Sequence, residues 1–239
     1  MTTLPLGLEA FADVKRLIVV AAHPDDLETI AGGAIALLAS RGVIVFSVNC
    51  TLGDIGTADP TLTRCALATI RQAETAEAAR ILGIAEVFNL GHPDGELMPT
   101  LELRAQIARL YRVTQADTLL TFDPWWGGQA HPDHVAAGRA ALDAYMPSKM
   151  RLYRPEQLRE AGAGLGCIQR VFLFGTARQP AIYIDISAVR ATKVAACVAH
   201  RSQFPQGEES LKWLHEMDAE IGQAAGLAYA EQFARMEVW

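Results

Sequence analysis

His23-Pro24-Asp25-Asp26 and His131-Pro132-Asp133-His134 hold three of the six histidines in this 239-residue chain, and each places metal-ligand residue types at i and i+3. Imidazole nitrogen and carboxylate oxygen suit zinc, and three protein ligands with an open fourth position make a catalytic site. Iron(II), cobalt or manganese accept the same donors. Asp25 stands beside the candidate ligand Asp26. A second carboxylate so close to a cation can serve as general base toward water. In the second motif one histidine can ligate while the other, oriented by a carboxylate, steadies an oxyanion or protonates a leaving amine. The plainer roles are helix capping for Asp25 and a first-turn charge for Asp133. Two proline-stiffened motifs at separate strand ends favour a shared metal centre over two unrelated loops.

Such a centre needs elements that bring distant segments together. The apolar, β-branched run from Arg16 to Ala22 reads as a strand ending at the first motif, and Thr118 to Phe122 reads as the strand preceding the second. Between them, helical and extended patterns alternate. A helix from about Gly32 to Arg41 is capped near Gly42, a strand covers Val43 to Cys50, and a helix runs from about Thr63 to Leu82. A short strand Glu86 to Leu90 and a helix Leu101 to Val113 follow, and His131 opens another helix. Beyond an irregular stretch from Lys149 to Cys167, strands are expected at Val171 to Phe174 and Ala181 to Ile186, with a helix from Ser187 to Arg201. Glu208 to Phe233 reads as one helix or two, broken near Gly222 or Gly226. Alternating βαβ units predict an α/β domain with a mostly parallel sheet, in which ligands bind at the carboxyl ends of strands.

Composition narrows the function classes. Half the side chains are apolar, enough for one sizeable core, and the net charge of −6 with no basic run argues against nucleic acid or an anionic membrane as partner. Cys50, Cys65, Cys167 and Cys197 are scattered without a C-x-x-C pair, which fits reduced thiols in the cytoplasm. Met1 to Phe11 carries no basic leader, and no apolar run approaches the roughly 20 residues of a membrane span. A small molecule is the expected partner.

The two motifs, taken as Ala22-His23-Pro24-Asp25-Asp26-Leu27-Glu28 and His131-Pro132-Asp133-His134, resemble the PIG-L/LmbE family of metal-dependent de-N-acetylases. Further similarity lies in Arg71-Gln72-Ala73-Glu74 with Leu82-Gly83, in Leu90-Gly91 through Asp94-Gly95, in Asp185-Ile186-Ser187 with Lys193, and in His200-Arg201-Ser202-Gln203. The resemblance implies one Rossmann-like three-layer domain over residues 1–239. It implies zinc on His23, Asp26 and His134, with Asp25 as the base and His131, paired with Asp133, acting on the amide carbonyl or the departing amine. The implied reaction removes the acetyl group from an N-acetylglucosamine-containing small glycoside or related acetamido sugar, and relatives form trimers or hexamers. Arg71 matches a family arginine near the substrate, and Asp94, in a strand-end loop, is a candidate for sugar hydroxyls. Trp125 and Trp126 offer a stacking wall for a pyranose; His92 and His200 have no assigned role. Ala130 departs from the branch that acts on the malate glycoside, where an arginine can precede the second motif. Gln129 occupies a position that varies with substrate.

Two rivals remain at this level. A metal-dependent amidase for another amide, such as a thiol conjugate or an acylated antibiotic sugar, shares every motif. A nucleotide-binding module is disfavoured, because Gly32-Gly33 lacks the G-x-G-x-x-G fingerprint and the first loop carries carboxylates where a pyrophosphate needs amides.

Overall fold

The computed structural model describes residues 7–179 and 181–238; residues 1–6, part of the segment read for leader character, lie outside the described residues. β1 (Arg16–Ala21) is the run of aliphatic side chains expected, and from Leu17 onward it has no exposed surface. A strand buried on both faces belongs at the centre of a parallel sheet. In chain order there follow α1 (Asp26–Ser40), β2 (Ile44–Thr51), α2 (Arg64–Leu82), β3 (Glu86–His92), α3 (Leu101–Thr114), β4 (Thr118–Phe122) and α4 (Pro132–Lys149). The last part contains β5 (Arg170–Phe174), β6 (Ala181–Asp185), α5 (Arg190–Ala199), α6 (Lys212–Ala224) and β7 (Ala230–Met236).

The seven strands lie in the order β3-β2-β1-β4-β5-β7-β6. Pairing is parallel from β3 through β5, and β7 runs antiparallel between β5 and β6. α1, α2 and α5 pack on one another, and α3 packs on α4. Right-handed crossovers place these groups on opposite faces, giving three layers. The chain runs outward from β1 to β3, then returns to lay β4 against β1, with Leu17 opposite Thr118 and Val20 opposite Thr121. Strand order therefore reverses between β1 and β4, so a crevice opens between their carboxyl ends. Both His-Pro-Asp motifs lie there. Close approach of α4 to β4 depends on Gly138, where a Cβ would meet the Phe122 carbonyl oxygen at 2.5 Å.

Two elements differ from the sequence expectation. α1 begins at Asp26 rather than near Gly32, with Thr29 Oγ1 donating to the carbonyls of Asp25 (3.1 Å) and Asp26 (3.0 Å). Its first turns are almost wholly buried, so no polar face marks the start. The second difference is larger. After α6 the chain becomes β7, although Ala230-Glu231-Gln232-Phe233-Ala234-Arg235-Met236 is rich in helix formers. Pairing with strands on both sides overrides that local preference. The expected Ser187–Arg201 helix is likewise shorter, Arg190–Ala199. Among the described residues, no helix is long and apolar enough to cross a membrane.

Candidate metal centre and its cleft

Asp26, the first residue of α1, lies between the two motifs. Its Oδ2 accepts from the Ala22 and His23 amides (3.1 and 2.8 Å) and lies 3.4 Å from His23 Nδ1, while Oδ1 lies 3.1 Å from His134 Nε2. Asp26 thus contacts both His23 and His134, one through each carboxylate oxygen, and ligand atoms also converge in the groups His23, His131, His134 and His23, Asp94, Asp133. The other nitrogen of each histidine is also engaged. His23 Nε2 faces Asp94 Oδ1 at 3.0 Å and Asp133 Oδ2 at 3.3 Å, and His134 Nδ1 lies 3.1 Å from Gln129 Oε1. Partners on the far nitrogen fix the tautomer and ring plane of a metal-binding histidine. Phe122 stacks on the His134 ring at 4.1 Å and holds it further. Burial disfavours a charged His23, yet Asp26 and Asp94 outweigh it and push its pKa up to about 10. Burial also opposes ionisation of Asp26, but His134 and His23 hold it well below the usual carboxylate range. The surroundings therefore favour positive charge at this spot, from a proton or a metal cation alike.

Asp25 has φ +93°, a left-handed conformation in which asparagine and aspartate are the best-tolerated side chains after glycine. That turn carries its carboxylate to Arg71, whose Nη2 lies 3.0 Å from Oδ2. The same guanidinium donates to the Pro24 carbonyl and, at 3.0 Å, to the Gly53 carbonyl. Arg71 is 3 % exposed and fits because Gly53 lacks a Cβ, which would overlap its guanidinium. Its hydrogen bonds run to Asp25 and the loops rather than outward to the cleft. Burial raises the Asp25 carboxyl to about 7 even though Arg71 opposes the shift.

His131 caps α4, its Nδ1 accepting from the Asp133 amide at 3.2 Å. A neutral ring so engaged carries its proton on Nε2. Burial and the neighbouring His23 and His134 lower its pKa, which favours that neutral form. The ring centroids of His23 and His134 lie 4.5 and 4.6 Å away, and His23, His131 and His134 can present nitrogens within 4.8 Å of one another. The expected pairing of His131 with the Asp133 carboxylate needs correction. That carboxylate, fully buried, accepts from Gly95 N (2.7 Å) and Leu97 N (3.2 Å) and approaches His23, so only the Asp133 backbone is bonded to His131. Asp94 is similarly occupied, between His23 and the Ile55 amide at 3.3 Å, and is 5 % exposed.

Residues 18–145 match the family model described as GlcNAc-PI de-N-acetylase, PIG-L. This chain belongs to the PIG-L family. It is 33% identical to the diacetylchitobiose deacetylase of Thermococcus kodakarensis over 93% of this chain and 84% of the relative. It is 32% identical to the 1D-myo-inositol 2-acetamido-2-deoxy-alpha-D-glucopyranoside deacetylase of Saccharomonospora viridis over 81% of this chain and 87% of that protein. The solved structure of N,N'-diacetylchitobiose deacetylase from Pyrococcus horikoshii superposes with a TM-score of 0.87 at 32% identity, covering 95% of this chain and 85% of that one.

In this PIG-L chain the centre opens into a cleft of about 710 Å³ that extends from Asp25, Asp26 and His134 to the C-terminal elements. Trp126 lines it, whereas Trp125 lies beside Arg178 with the guanidinium 5.4 Å above its ring, so the two tryptophans part company. Of the unassigned histidines, His92 is bonded to Gln106 at 2.7 Å, and fully buried His200 lies 3.4 Å from Glu28 behind the first motif. Sequence reading missed Gln129 as the partner of His134, although an amide five residues before a candidate ligand is a readable cue. It also missed Trp213, Met217 and Ile221, which recur at i, i+4 and i+8 on α6 and line the far wall.

Proposed function

We propose that this chain is a divalent-metal-dependent deacetylase that removes the acetyl group from an N-acetylglucosamine-containing small glycoside or related acetamido sugar. One observation carries the reading: Asp26 lies between His23 Nδ1 and His134 Nε2, with Asp25 next in the chain and all but His23 lining a ligand-sized cleft. The donor set of two imidazoles and a carboxylate, each with its own orienting bonds, fits zinc. A cation held by His23, Asp26 and His134 would supply Lewis-acid chemistry, acidifying water and polarising an amide carbonyl.

The protein's own groups then divide the proton traffic. Asp25 takes a proton from water as the water oxygen bonds to the acetyl carbon, a role open to a carboxylate that lines the cleft beside Asp26. Arg71 acts as a positioning residue, since its bonds to Asp25 and to the Pro24 and Gly53 carbonyls fix the base and its loop. His131, neutral with its proton on Nε2, donates a hydrogen bond to the carbonyl oxygen as negative charge develops there. Return of the proton from Asp25 to the amide nitrogen lets the C–N bond break, leaving acetate and a free amino sugar. Asp94 and Asp133 hold His23, and Gln129 holds His134. The free cysteines among the described residues support a reducing, cytoplasmic setting.

Acetate release from zinc-loaded protein, measured over simple N-acetylglucosaminides, diacetylchitobiose and the inositol glycoside, tests the proposal. Turnover should cease on chelation and return with metal. No acetate from any of them, beside hydrolysis of a larger amide, would overturn it.

A further inference from the structure

The cleft is much longer than its reacting end. Clefts of this size bury a drug-sized ligand, which leaves room beyond one acetamido sugar. Much of its wall is apolar: Ile30, Trp126, Phe204, Trp213, Met217 and Ile221 line it, those on α6 lying on an element apart from both motifs, and Trp126 and Trp213 are partly exposed. Trp213, Met217 and Ile221 form one stripe along α6, so a single helix supplies half of this wall.

Charge adds an independent constraint. The ionisable lining residues besides His134 are Asp25, Asp26, Asp218 and Glu231, and the lining contains no lysine or arginine. Three buried or half-buried cations around it are already committed. Lys193 is fully buried between Asp218 (2.7 Å) and Glu231 (3.0 Å), Arg71 is held by Asp25, and Arg178 is bonded to Asp123 at 2.5 Å. Ala130 adds no charge beside the second motif. A phosphate or carboxylate on the far part of a substrate would lose water and meet carboxylates without a counter-ion, which costs binding.

We infer that the far arm is an aglycone site for an uncharged apolar group, and that Trp213 with its α6 stripe sets substrate preference for it against anionic aglycones. The inference rests on the deacetylase reading for the near end of the cleft. An aromatic aglycone placed against Trp126 and Trp213 gains burial and ring contact, worth about tenfold in affinity.

Initial-rate acetate release from methyl, phenyl and p-carboxyphenyl N-acetylglucosaminides and from diacetylchitobiose, all with zinc-loaded protein, supplies the test. The phenyl glycoside should exceed the methyl glycoside about tenfold in kcat/KM, chiefly through KM, and should exceed the disaccharide. The p-carboxyphenyl glycoside should lose that gain. Trp213→Ala should bring the phenyl-to-methyl ratio to within about twofold, and Trp213→Arg should raise the carboxyphenyl glycoside above the phenyl. Equal rates for methyl and phenyl, a better disaccharide, or ratios unchanged in both variants would overturn the inference while leaving the deacetylase reading intact. If no glycoside is deacetylated, that reading falls instead. Calorimetric binding of the phenyl and carboxyphenyl glycosides to wild type and Trp213→Arg then decides the arm by itself, because a preference for the anion in the wild type contradicts it.

Discussion

Two buried clusters of charge lie within this domain, one at the carboxyl ends of β1 and β4 and the other where α1, α5, α6 and β7 meet. The first joins His23, Asp26 and His134; the second joins Lys193, Asp218 and Glu231. In the second, the ammonium is fully enclosed by two carboxylates, and Glu231 also accepts from the Gly33 and Ala34 amides of α1 at 2.8 Å. That cluster carries its own cation: Lys193 bridges the two carboxylates and ties α5 to α6 and β7, while Asp218 and Glu231, each 1 % exposed, form part of the cleft wall. The first sets Asp25, Asp26, Asp94 and Asp133 against Arg71 and the histidines, and Asp25, Asp26 and His134 line the cleft. Similar residue types thus build a structural lock in one place and the proposed reactive centre in the other. The difference lies in the cation: the second cluster supplies its own in Lys193, and the first has imidazoles in that place.

Variants on each side should therefore fail in different ways. Asp25→Asn keeps a side chain that tolerates the left-handed turn, so melting temperature should hold while kcat for acetate release falls about a thousandfold. Loss of folding with loss of rate would erase the distinction. Lys193→Met leaves two buried carboxylates facing each other and should cost about 3–5 kcal/mol in urea unfolding. A milder change is expected from Gln129→Ala, which frees the His134 ring and should weaken zinc binding about tenfold in a chelator competition.

The smallest effect concerns pH, at a bond linking the β4 loop to the segment before β6. Burial pushes Asp123 up, but Arg178, Thr176 and the Trp125 amide outweigh it and hold its pKa below the usual 3.8. Stabilisation from a depressed carboxyl is present above the unfolded value and is lost as pH falls through the folded one. Urea midpoints should therefore drop below pH 4, and Arg178→Ala should shrink that drop by less than about 1 kcal/mol, because the arginine is half exposed.

The same contrast explains what could be read from sequence. The front of the domain is legible because β-branched runs end in ligand-bearing tetrapeptides, so pattern and chemistry coincide at His23 and His131. Long-range orientation is not written locally. Nothing around Asp133 says that its carboxylate reaches Gly95 and Leu97, nor that Arg71 turns to Asp25. β7 was hidden for a related reason: Ala230 to Met236 has helical composition and becomes a strand only through β5 and β6. The parallel character of the sheet around β1 and β4 follows from the alternating pattern, whereas the antiparallel edge depends on contacts made after the chain has folded.

The division between the proposed metal centre and the lysine-filled ionic lock is tested most directly by zinc stoichiometry. Protein loaded with zinc, dialysed and analysed by mass spectrometry should retain one equivalent in the wild type, almost none in His134→Ala, and one equivalent in folded Lys193→Met. Full retention by His134→Ala, or loss of zinc from folded Lys193→Met, would contradict it.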